Sequence, residues 1–232
     1  MRWQTNMILS PILLLAAASL GLALLSAGML VIRSPEVLPG ERKEQKRQDL
    51  LSKNTFLLVF PVMACNLLVA CVLDNYYGAK ADHILLTLGT LSFLWPCALI
   101  DRRMHLIPNR ILILAVLVRT AWFVLEAVIW PEEAQIILLS SGLCALIMFL
   151  TSMLCRLLIP KSVGMGDVKI LAVMGAYLGM DKIWGAIFSS FIVLFFVCLF
   201  LLITRRANRS SEIAFAPFLL IGTILGALLT GI

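Results

Sequence analysis

Two aspartates stand where an acid is both costly and useful. Asp167 lies in Gly164-Met165-Gly166-Asp167-Val168-Lys169, and Asp101 lies in Leu99-Ile100-Asp101-Arg102-Arg103-Met104-His105-Leu106-Ile107-Pro108-Asn109. Both strings border long apolar runs, so each carboxyl falls at a membrane boundary, where an ionisable group is a functional candidate. Two acids together can split a peptide bond. One, ionised, activates water, while the other, protonated, polarises the carbonyl. Two close carboxyls do not both ionise easily, and they titrate as a unit. Gly164 and Gly166 lack Cβ, so the chain can bend there and another backbone can approach. Asp167 then opens a helix, where free amides favour its charge. A simple N-cap aspartate after a glycine turn has the same pattern without any chemistry. Asp101 also has a plain reading, as the last residue of a helix stepping out of the membrane. Yet the dipole at a helix C-terminus favours cations such as Arg102 and Arg103 over an acid.

The elements that must position these residues are membrane spans. Of 232 residues 61% are hydrophobic and only 14% charged, against roughly 25% charged in a soluble domain; the mean hydropathy is +1.01. The chain reads as an all-α, polytopic integral membrane protein set in a lipid bilayer. Spans of about 20 apolar residues are expected at 7–32, 55–73, 83–100, 110–130, 134–155, 184–204 and 214–232. A shorter stretch, 168–180, fits a helix shielded by its neighbours. Fifteen of the 19 lysines and arginines fall in the loops at 33–53, 102–110, 156–169 and 205–209. Basic loops face the cytoplasm, so the N-terminus is expected outside. The alternation closes only if 168–180 also crosses, which makes about eight spans. Both aspartates then share the cytoplasmic face. The run at 7–32 is too long for a cleaved signal peptide, and its basic cluster follows it; it is expected to stay as an anchor. The division is thus residues 1–54, an anchor with a short basic loop, and residues 55–232, a membrane-embedded domain. The net charge of +6 is explained by these loops, and nucleic acid is not an expected partner.

The other polar residues carry less. The six cysteines show no CxxC pair and lie in or beside apolar segments, so they read as packing residues rather than a metal cage; no metal or cofactor is expected. Lys169 can tune Asp167 or meet the interface. His105 reads as a solvated loop histidine. Arg119 and Glu126 share a face of one span, but about 10 Å of helix rise separates them. Water or another helix is expected between them, in a packing role.

At this point the chain resembles the prepilin peptidases, the bacterial branch of the GxGD aspartic proteases. Three strings match in order: Asp101 to Asn109 with its Ile107-Pro108-Asn109; Gly164 to Gly179 with Gly164-Met165-Gly166-Asp167-Val168-Lys169 and Gly175-Ala176-Tyr177-Leu178-Gly179; and Phe215-Ala216-Pro217-Phe218. Members often carry glycine where Ala216 stands. The resemblance covers roughly residues 85–232. It implies Asp101 and Asp167 as the catalytic pair. Gly164, Gly166 and Lys169 belong to the active-site loop, and Pro108, Asn109 and Pro217 support the substrate site. It implies a prepilin or pseudopilin substrate with a basic leader, cut at the inner membrane of a bacterium. Members with a second, N-methyltransferase activity carry a zinc-binding, cysteine-rich loop after the first span. Residues 33–53 contain no cysteine, so the likeness extends to the peptidase alone. Two other readings compete. Presenilin-like GxGD proteases usually show Tyr-Asp and Pro-Ala-Leu, and Ile100-Asp101 and Phe-Ala-Pro-Phe stand here instead. A proton- or cation-coupled transporter would favour inverted repeats and midplane acids, and neither is found. The oligomeric state is left open.

Overall fold

The computed structural model describes residues 53–129, 131–159, 164–204 and 214–231. The expected anchor at 7–32 and the basic loop after it lie outside them. Among the described residues the chain forms six helices and no strand: α1 (Lys53–Asn75), α2 (Ala81–Met104), α3 (Asn109–Ile129), α4 (Pro131–Leu158), α5 (Met165–Ile203) and α6 (Ala216–Thr230). Lipid offers no hydrogen bonds, so the backbone of these leucine- and isoleucine-rich runs must satisfy itself within helices. Four segments are long and apolar enough to cross a membrane: Asp82–Arg102, Asn109–Val128, Ala134–Leu158 and Met165–Ile203. Large apolar side chains such as Leu139, Leu157, Phe188 and Phe195 point outward, as lipid-facing residues do. Inside, Thr87, Thr90 and Ser92 donate to carbonyls one turn back on α2, which lets hydroxyls sit in an apolar core at little cost.

Two differences from expectation bear on the site. The span expected to stop at residue 100 continues for another turn, to Met104. Arginines suit the negative end of the helix dipole, and His105 closes it in the left-handed conformation (φ 50°, ψ 35°), its N–H donating to the Asp101 carbonyl. Asp101 is therefore not a helix end stepping into water; it is buried, 5% exposed.

The second difference concerns residues 168–180 and 184–204. Both belong to α5, which breaks at Gly179 (φ 69°, ψ −178°). A straight helix would carry Phe191 about 36 Å beyond Asp167. Instead the Phe191 ring lies 6.2 Å from that of Phe215, beside Ala216, whose N–H reaches Asp101; Asp101 in turn acts electrostatically on Asp167. The chain therefore reverses at Gly179, a left-handed position that glycine adopts without strain. The first half, too short to span alone, has Val168, Ile170, Val173, Met174, Tyr177 and Leu178 buried among its neighbours.

Helix pairing fixes two ends of the bundle. One end gathers Asp101, Asn109, Asp167 and Ala216. The opposite end holds Tyr77, whose hydroxyl donates to the Leu228 carbonyl at 3.2 Å, with Lys182 and Asp82 close enough to interact. Small residues allow the closest approaches. A Cβ on Gly175 would sit 3.0 Å from the Ala145 backbone of α4, and one on Gly222 of α6 would overlap the Ser190 backbone of α5. Close helix contact of this kind replaces the hydrophobic effect, which is absent between helices in lipid.

Candidate active site

Asp101 is held from across the bundle. Its Oδ2 accepts the Ala216 N–H at 3.0 Å, a buried bond between α2 and the first residue of α6. The first amides of a helix have no partner in their own helix. Here one is supplied by an acid, which also suits the positive end of the α6 dipole. Pro217 follows in the first turn, where proline's missing N–H costs nothing. The Phe215-Ala216-Pro217-Phe218 string thus does its work through a backbone amide, which a methyl group on residue 216 does not remove.

Asp167 is held from its own helix. It lies in the first turn of α5, and its Oδ2 accepts the Gly164 N–H at 3.2 Å. This is the acidic half of a capping box. A Cβ on Gly164 would come within 3.0 Å of that oxygen. Gly166 faces a different neighbour: a Cβ there would lie 2.8 Å from both Cβ and Cδ1 of Ile107, in the loop between α2 and α3. The glycines of this string were expected to admit another backbone. Side chains fill the space instead, Asp167 beside Gly164 and Ile107 beside Gly166, and the backbone approaches fall at Gly175 and Gly222.

Ile107 on Gly166 is one of two contacts that dock the first string onto the second. The other is Lys169, whose Nζ donates to Asn109 Oδ1 at 2.8 Å. Lys169, for which tuning of Asp167 and a place at the interface were both open, thus pairs with the opening residue of α3. Pro108 lies just before that helix, its carbonyl accepting the Ile111 N–H. Pro217 stands apart from this seam, at the start of α6. His105 is exposed at the α2 cap. A cleft of about 410 Å³ opens beside the Lys169–Asn109 bond, between α3, α4 and α5, with Leu112, Phe149 and Val173 in its walls. Neither aspartate lines it.

Arg119 and Glu126 overturn one expectation. They bond directly, Nη1 to Oε2 at 3.0 Å. Both side chains extend along the helix toward each other and close the gap without water. Both are buried, so the pair is far stronger than it would be in water, and more costly to break. Arg119 also donates to the Ala176 carbonyl.

The structure thus brings Asp101, Asp167, Gly164, Gly166, Lys169, Asn109 and Pro108 to one end of the bundle, with Pro217 reaching it through Ala216. Ala216 and Ile107 were not foreseen as supports. Each had a signal: Ala216 precedes a helix-opening proline, and Ile107 precedes a proline in the first aspartate's own string. Two carboxyls close enough to feel one another, each fixed through one oxygen by a backbone amide, form an arrangement able to share a proton and polarise water against a carbonyl.

No curated protein and no solved structure matches the chain. The sequence model of the type IV leader peptidase family matches residues 88–232, which include both aspartates and all three strings. With more than half of its residues matched in this way, the chain belongs to the type IV leader peptidase family, a family of proteases.

Proposed function

We propose that this protein is an aspartic endopeptidase that removes the basic leader from type IV prepilin or pseudopilin precursors at the cytoplasmic face of the bacterial inner membrane. One observation carries the reading: in a member of the leader peptidase family, Asp101 and Asp167 lie at one end of the helix bundle, near enough to act on one another electrostatically. The proposed topology has eight spans with the N-terminus outside. Residues 1–54 form the anchor and loop, and 55–232 form the peptidase domain.

The reaction needs only the pair and water. An extended leader presents its scissile carbonyl between the two carboxyls. The ionised carboxylate takes a proton from water as the water oxygen bonds to the carbonyl carbon. The protonated partner gives its proton to the carbonyl oxygen. The tetrahedral diol then collapses, the C–N bond breaks and the amine leaves with a proton from the first acid. The second acid takes back the hydroxyl proton, and the pair again holds one proton. Asp101 and Asp167 each spend one oxygen on a backbone amide. Their other oxygens serve the water and the carbonyl. Fixing two groups in this way supplies much of the rate, because reacting atoms are held in place before the reaction begins.

The test is co-expression with each prepilin of the same genome, scored by the mass of the product. Leader loss from at least one precursor supports the reading, and retention of the leader in all of them overturns it.

Two further results are expected. Gly166→Val should lower cleavage by about 10- to 100-fold, since an ångström of misplacement can cost that much, while membrane abundance stays near wild type. The side chain would have to displace Ile107 beside Asp167. Equal cleavage rates for Gly166→Val and wild type would remove Ile107 from the site. Cysteines introduced at His105 should label from the cytoplasm, and those at Ala79 and Glu132 from outside. Labelling of His105 from outside would take the active site off the face where leaders lie.

A further inference from the structure

The reversal at Gly179 leaves backbone groups without helical partners in the middle of an apolar bundle. The ψ of −178° at Gly179 turns the next peptide unit out of the helical direction. The Met180 N–H then points away from the Ala176 carbonyl that it would meet in an unbroken helix. Each group finds a partner outside α5. The Met180 N–H donates to Ser140 Oγ of α4 at 3.3 Å. The Ala176 carbonyl accepts from Arg119 Nε of α3 at 2.9 Å. The same guanidinium donates through Nη1 to Glu126 Oε2 at 3.0 Å and through Nη2 to Ser141 Oγ at 3.4 Å. Arginine's rigid fork makes these bonds at once, and a lysine ammonium on a flexible stem cannot.

We infer that Arg119 is a positioning residue for Asp167. It acts through the Ala176 carbonyl, holding the first half of α5 at the height that puts Asp167 opposite Asp101. The inference rests on the peptidase reading only for its kinetic readout. Ala176 and Asp167 are joined by about 14 Å of helix with no break, so a shift at one end moves the other. The contacts at the Asp167 end, Ile107 on Gly166 and Lys169 on Asn109, set how that end packs sideways. The Arg119 clamp sets its position along the helix axis. Glu126 holds the guanidinium in turn, and its Oε1 is buried without a hydrogen-bond partner among the described residues.

A buried charge left alone destabilises a protein whatever its neighbours do, so the test uses two variants that avoid it. R119K keeps the ion pair and loses the fork. R119M/E126L removes both charges and keeps the volume. Each is purified in full-length form with bio-orthogonal spin labels at Leu106 and Met165, both exposed beside the site. The label distance is read without reference to activity. Wild type is expected to show one narrow distance distribution and both variants a broadened one. The kcat of leader cleavage should fall about tenfold or more in both. KM should stay within about twofold, because substrate contacts are untouched. The thermal midpoint of R119M/E126L, which leaves the Ala176 carbonyl unpaired, should fall less than that of R119M, which also strands the Glu126 charge. A narrow distribution with wild-type kcat in R119M/E126L would overturn the assignment and leave the ion pair as packing alone. If wild type itself cuts no precursor, the peptidase reading falls, and the distance distributions still decide whether Arg119 positions Asp167.

Discussion

Asp101→Asn and Asp167→Asn are each expected to slow leader cleavage by about 1,000-fold while the protein stays folded in the membrane. An amide cannot take the proton of the attacking water, nor can it return one. The asparagine variants are sharper tests than alanine, because an amide oxygen can still accept from the Ala216 or Gly164 N–H that holds each carboxylate. Asp101→Ala should abolish cleavage too, but it also uncaps α6, so its lower thermal midpoint would mix two causes. Wild-type activity should rise and fall with pH. It is lost in acid, where both members hold protons, and in base, where both have lost them; the two limits belong to the pair. Cleavage by purified Asp167→Asn at near the wild-type rate would end the aspartic assignment.

Gly222→Ala is expected to destabilise the protein by about 3 kcal/mol, at the upper end for overpacking. Gly142→Ala should be neutral or slightly stabilising. The chemical change is the same, and alanine is the better helix former at both sites. What differs is the neighbour. A Cβ on Gly222 overlaps the Ser190 backbone, whereas one on Gly142 meets nothing within 4 Å among the described residues. Backbone cannot step aside as a side-chain tip can, so α6 must move off α5. The cost should show as a lower thermal midpoint in detergent and less protein in the membrane. Some loss of activity should follow, because α6 carries the Ala216 amide. If the two alanine variants melt together, the helices are not packed as closely as the structure has them.

Much of this arrangement is legible in the amino-acid order. Apolar length marks most of the helices, and the arginines and lysines sort the loops into two sets, one of which holds both aspartates. Those are local and additive properties. What escapes them is pairwise. Nothing in Asp101 says that its partner is an amide more than a hundred residues later, and nothing in Lys169 says that it will bond Asn109. The Arg119–Glu126 distance fails for a simpler reason: rise per residue measures backbones, and long side chains lean. The Gly164 and Gly166 expectation fails because a missing Cβ announces space without naming what enters it. At Gly179 the glycine is visible in the string, but the groups that bond the backbone beside its turn, Ser140 and Arg119, belong to other helices.

The Ala216–Asp101 bond also sets an order of completion during synthesis. A ribosome that has released residues up to 213 has already delivered both aspartates to the membrane. The amide that fixes the first of them is still inside the exit tunnel. Until α6 inserts, Asp101 has a free carboxyl and no fixed aim. The fixed geometry of Asp101 is complete only when the last described helix takes its place.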